Sequence, residues 1–84
     1  MHPDELVVGN RYRIWHKSPS ERKVRYSIMD YLGREATESY KGRGPNLSFN
    51  ARPVAGTQSM PPHWIKHIEQ VEKNTTITLN RIAT

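Results

Sequence analysis

Asn46-Leu47-Ser48-Phe49-Asn50-Ala51-Arg52-Pro53-Val54-Ala55-Gly56-Thr57-Gln58-Ser59-Met60-Pro61-Pro62-His63-Trp64-Ile65 carries the densest set of structural signals in the chain. Leu47, Phe49 and Ala51 alternate with Ser48, Asn50 and Arg52. That is the period of a half-buried strand, whose successive side chains point to opposite faces. Pro53 ends the run because it cannot donate to a ladder. Gly56 then marks a tight reversal into a short strand over 57–60, and Pro61-Pro62 forces a compact turn. Beyond the prolines two spacings compete. Trp64, Ile65, Ile68 and Val71 fit a helix, whereas Ile65, His67, Glu69 and Val71 fit a strand. Short length and the preceding strands favour one turn of 3-10 helix at 61–64 and a strand over 65–71.

Upstream, Leu6 to His16 reads as a strand with a bend at Gly9-Asn10. Tyr12, Ile14 and His16 share its core face, which leaves Arg11, Arg13 and Trp15 outside. Trp15 has a second reading as core, folded over one end of the fold. His16 to Arg22, with its Ser18-Pro19-Ser20, is a polar loop. Lys23 to Leu32 is the next strand, with Val24, Tyr26, Ile28 and Leu32 expected inside and Lys23, Arg25, Ser27, Met29 and Tyr31 outside. Asp30 interrupts the expected apolar face, as at an open end or a bulge. Gly33 closes the strand, and residues 34–46 read as a long hairpin loop. Its Gly42-Arg43-Gly44-Pro45 resembles an AT-hook core, with Gly44 inserted between arginine and proline; an ordinary solvated loop is the favoured reading. Ile77, Leu79 and Ile82 could add an edge strand to the Thr-rich 74–84 segment, which otherwise reads as a disordered tail. The expected organisation is a tail over 1–5, one domain over 6–73, and a tail or edge strand over 74–84.

Met60-Pro61-Pro62-His63-Trp64-Ile65 resembles the end of an SH3 fold, where a proline-led 3-10 turn carries an aromatic and then an aliphatic residue into the last strand. The order of strands and loops over 6–71 is similar as well. The resemblance implies an all-β, SH3-like five-stranded small barrel. The stretch from Leu47 to Ile65 is also similar to uncharacterised small proteins of bacteriophages and actinobacteria. By the same resemblance Trp64 matches the family's aromatic in the proline turn, which implies a protein-interaction adaptor acting through the adjoining groove or a free edge of the barrel. SH3 domains that bind proline-rich peptides share an acidic loop and paired tyrosines, whereas this chain has a basic loop and no such pair.

Eighty-four residues make one domain with a thin core. The chain has no cysteine, so neither a disulfide nor a thiolate metal site supplements that core. Residues 1–5 lack the pattern of a signal peptide, and no apolar run approaches the length that crosses a bilayer. A cytoplasmic location is expected, with no membrane partner. The net charge of +5 is unevenly placed, since ten of the 13 Lys and Arg lie between Arg11 and Arg52 with only Glu21, Asp30, Glu35 and Glu38 to offset them. Such a field favours a polyanion.

The expected function is therefore a non-catalytic nucleic-acid-binding module. Its surface would consist of Arg11, Arg13, Trp15, Lys23, Arg25, Tyr31, Arg43 and Arg52, in which basic groups contact phosphate and aromatics stack on bases. The alternative is the protein adaptor centred on Trp64, with a host or bacterial protein as partner. No catalytic residue is expected, because the acids are scattered and no serine has a nucleophile's surroundings. His63 and His67 stand four apart without a third ligand, so neither a metal nor any other cofactor is expected.

Overall fold

A computed structural model describes the backbone of residues 1–38, 45–50 and 57–82 and the side chains of residues 1–34, 46–50 and 57–78. A 3-10 turn at Pro3–Glu5 precedes β1 (Arg11–His16), β2 (Arg25–Glu38), β3 (Pro45–Asn50) and β4 (Thr57–Met60). A second 3-10 turn, Pro62–Trp64, leads into β5 (Ile65–Val71), and β6 (Thr78–Ile82) follows. The segment with competing helical and strand spacings is thus a strand.

The strands form an antiparallel sheet in the order β4-β3-β2-β1-β5, with β6 paired to β2 beside that path. β2 organises it. Its first residues pair with β1 along one edge, Tyr12 opposite Met29 and Ile14 opposite Ser27. The other edge is shared end to end by β6, opposite Arg25 to Ile28, and β3, opposite Asp30 to Glu38. Within the pairing with β3 the ladder slips around Leu32, between Tyr31 and Gly33, and Gly33 adopts φ +116°. Only glycine takes that conformation without strain, so this residue accommodates the slip in the ladder between β2 and β3.

One face of the sheet holds the core. Tyr12 and Ile14 of β1, Met29 and Tyr31 of β2, Leu47 and Phe49 of β3, Met60 of β4 and Ile68 of β5 are all buried there. Leu6, Trp64, Ile65 and Ile77 pack against them. The chain before β1 is tied down by Val7 N–H donating to Tyr12 Oη at 2.9 Å and Gly9 N–H donating to the Tyr31 carbonyl at 2.9 Å.

The expected closed SH3-like barrel is corrected by this topology. The sheet is open, since β4 and β5 end the strand order and do not pair with each other. The linkage between them explains why. β4 has four residues, and the chain leaves it through Pro61 and Pro62, which have no N–H to give a ladder. The turn that follows is held elsewhere, its Trp64 carbonyl accepting from Lys17 N–H at 2.9 Å.

The inner face of β2 is also the reverse of the expected one. Ser27, Met29 and Tyr31 point inward, whereas Leu32 is exposed and Tyr26 lies outside; Ile28 is buried as expected, but on the other face, opposite Arg13 and Thr78. Asp30 decides the phase. It falls on the same face as Tyr26 and Ile28, and turning that face inward would bury a carboxylate in the core. Turned outward, it meets Arg11 at 2.8 Å.

Candidate functional site

The outer face of β5, β1 and β2 carries three cross-strand rows. Register places His67, Trp15 and Tyr26 in one row, Glu69, Arg13 and Ile28 in the next, and Val71, Arg11 and Asp30 in the third. The alternation of β1 produces this directly. Tyr12, Ile14 and His16 are buried, so Arg11, Arg13 and Trp15 occupy the opposite face.

The first row is aromatic across three strands. The Trp15 ring lies 4.9 Å from His67 and 5.9 Å from Tyr26 between centroids, tilted in both cases. The Arg13 guanidinium stands over both neighbours, 5.8 Å from the Trp15 centroid and 5.6 Å from that of Tyr26. A cation at this distance is attracted by the negative face of each ring. Arg13 Nε is buried and has no hydrogen-bond partner among the described residues. The guanidinium is thus positioned by the rings rather than by an acid. Beyond the aromatic row, the loop joining β1 to β2 carries the exposed Arg22 and Lys23.

The third row is structural. Arg11 binds Asp30 through two hydrogen bonds, Nε to Oδ1 at 2.8 Å and Nη2 to Oδ2 at 3.2 Å. Its Nη1 donates to the carbonyls of Lys73 and Thr75, fastening the segment that leaves β5. The hydrogen bond from Arg11 holds the Asp30 carboxyl below its ordinary range, against the opposing effect of burial. Arg11 is thereby occupied within the fold.

The remaining expected residues separate. Arg25 pairs with Glu21 at 2.8 Å. Lys23 sits in the loop rather than in a strand. Tyr31 is buried against Phe49, with ring centroids 5.5 Å apart, and does not reach the outer face. Arg43 and Arg52 lie outside the described residues. The alternation of β1 alone points to Arg13 and Trp15. Tyr26 was missed through the reversed phase of β2, and His67 because pairing of β5 with β1 is a long-range feature.

Trp64 occupies a different place. It is half-buried at an apolar groove of about 430 Å³ lined also by Pro19, Ser20, Asn46, Ser59 and Pro61. Two buried polar atoms of the lining residues, Trp64 Nε1 and Asn46 Oδ1, have no hydrogen-bond partner among the described residues. One is a donor and the other an acceptor.

His63 and His67 are not brought together as a metal site. His67 belongs to the aromatic row and its Nε2 lies 3.3 Å from Glu69, while His63 lines a separate groove with His2, Asp4 and Arg34. Among the described residues no group of three or more His, Cys, Asp or Glu is placed to hold a metal ion. No helix among them is long and apolar enough to cross a membrane.

No protein-family model matches the chain, and no curated protein or solved structure matches it either. With the barrel unclosed, the resemblance to small phage and actinobacterial proteins carries no further argument.

Proposed function

We propose that the outer face is a non-catalytic binding surface for single-stranded nucleic acid, acting in the cytoplasm. The observation that carries this reading is the His67-Trp15-Tyr26 row with Arg13 over the two larger rings. Rings on neighbouring strands offer a platform on which unpaired bases stack, and stacking tolerates any base. Arg13, Arg22 and Lys23 supply the phosphate contacts. Arg11 is withdrawn from that role by Asp30, and Tyr31 by its burial. An open sheet face with few free cations among the described residues suits a splayed single strand better than a duplex, whose bases are already stacked on one another.

Anisotropy of a labelled single-stranded oligonucleotide, set beside the same sequence as duplex, tests the reading. The expected result is a preference for the single strand and a log–log salt slope of about −2, the value for about three phosphate contacts. Equal or absent binding of both at low salt overturns it.

A second reading is favoured by the Trp64 groove. A protein segment laid there would cover the apolar lining that Pro19, Pro61 and Trp64 present. Its mark is a bound protein that survives nuclease treatment and is lost in Trp64→Ala.

A further inference from the structure

Besides the five-residue β6, which pairs with β2 alone, the open sheet leaves its two end strands, β4 and β5, with one edge unpaired among the described residues. They are unequal. β4 has four residues and runs directly into Pro61, whereas β5 is a seven-residue strand paired to β1 on its other side. Its residues Lys66, His67, Glu69 and Gln70 are exposed. Charges on an edge usually block pairing with other chains. Those of β5 are arranged so that the strand complements itself.

We infer that β5 is a self-association edge, at which a second copy of this chain pairs antiparallel about a two-fold axis at Ile68. Residues directly opposite in such a pair must lie on the same face of the combined sheet. That requirement permits only registers centred on a residue of β5, and the sequence separates them. A centre at Glu69 sets Glu69 against Glu69, and a centre at His67 sets Lys66 against Ile68. A centre at Ile68 sets His67 against Glu69 twice on the outer face. It also sets Ile68 against itself on the inner face. An imidazole opposite a carboxylate can share a hydrogen bond, where like charges directly opposite weaken a ladder.

The neighbouring bulge sets the limit of this ladder. β5 slips relative to β1 between Trp15, opposite His67, and His16, opposite Ile65, so Lys66 is the bulged residue. His67 to Val71 keeps a regular alternation, and the pairing about Ile68 is the short span from His67 to Glu69. Ile68 is already only 2 % exposed in one copy. New apolar burial is therefore small, and main-chain hydrogen bonds supply most of the attraction. The pairing is accordingly weak and concentration-dependent. It joins two outer faces into one continuous sheet, with the two Trp15 rows on either side of the axis. It does not depend on what that face binds.

Sedimentation equilibrium over a wide concentration range reads the outcome. The weight-average mass is expected to rise from 9.8 kDa toward twice that value. Glu69→Lys should hold the chain as a monomer, and the double exchange His67→Glu with Glu69→Lys should restore the rise. Both variants place lysine opposite Arg13, so a difference between them reports the intermolecular pair and not a disturbed outer face. Because the native chain has no cysteine, a mixture of His67→Cys and Glu69→Cys chains should oxidise mainly to the mixed disulfide. A mass that stays at 9.8 kDa at the highest concentration overturns the inference. So does a dimer that Glu69→Lys leaves intact, or equal amounts of like and mixed disulfides.

Discussion

Replacing Asp30 by Asn tests how far the outer face depends on the Arg11 clamp. The side chains of Arg11 and Asp30 are 16 % and 17 % exposed, and two hydrogen bonds at 2.8 and 3.2 Å join them. An exposed ion pair contributes about 0–1 kcal/mol, and breaking a fully buried one costs about 3–5 kcal/mol. At this partial burial the loss on Asp30→Asn is about 2 kcal/mol. With an unfolding entropy of about 2.1 cal/mol/K per residue, a chain of this length should lose about 11 °C in Tm. Arg11→Met should cost more, about 3 kcal/mol, because it also removes the donors to the carbonyls of Lys73 and Thr75. A urea-denaturation double-mutant cycle should give a coupling of about 1–2 kcal/mol.

The acid limb supplies a second sign. Arg11 holds the folded Asp30 carboxyl below the ordinary value of 3.8. Its contribution is therefore complete above that value and lost as pH falls through the lower folded one. Asp30→Asn should flatten stability in that window. A Tm change under about 3 °C, or strict additivity with Arg11→Met, would refute the assignment of the clamp.

The other expectations concern the inner face, the bend of β2 and the ring platform. His16 is buried with its Nε2 2.9 Å from Ser27 Oγ, and burial lowers its pKa from 6.5, aided by Arg25 and opposed by Glu21. The unfolded chain thus takes up a proton first, and stability should decline as pH falls below 6.5, a slope that His16→Gln removes in pH-resolved thermal melts. Gly33→Ala should cost about 1–3 kcal/mol by chemical denaturation, since φ is +116° while the nearest atom to an added Cβ, Val8 Cγ2, is at an unstrained 3.6 Å. Trp15→Ala should weaken oligonucleotide binding by about 5- to 150-fold, the equivalent of about 1–3 kcal/mol of stacking, with Tyr31→Phe as a control that leaves binding unchanged.

The strands of this protein are legible locally, and their closure is not. Alternation in Arg11-Tyr12-Arg13-Ile14-Trp15-His16 predicts which side chains of β1 are buried. The proline pair likewise marks the turn before β5, and the 3-10 helix forms at Pro62–Trp64. β2 misleads because both of its faces contain apolar residues. Tyr26, Ile28 and Leu32 outnumber Met29 and Tyr31 as hydrophobic signals, and only the cost of burying Asp30 reveals the correct phase. Whether the terminal strands of a sheet meet is a property of the whole chain. A proline-led turn entering a final strand occurs here without the pairing that would close a barrel. The candidate surface divides the same way. Arg13 and Trp15 follow from one strand's alternation, while the occupation of Arg11, the burial of Tyr31 and the arrival of His67 beside Trp15 require the strands to be paired first.

Fluorescence of Trp15 gives the most direct measure of the proposed stacking. In a Trp64→Phe background Trp15 is the only tryptophan, since the chain has two. Titration with unlabelled oligothymidine at low salt should quench its emission saturably, and added salt should reverse the quenching in step with loss of anisotropy. Binding that leaves Trp15 emission unchanged, or no binding at all, would contradict a base-stacking role for the outer face.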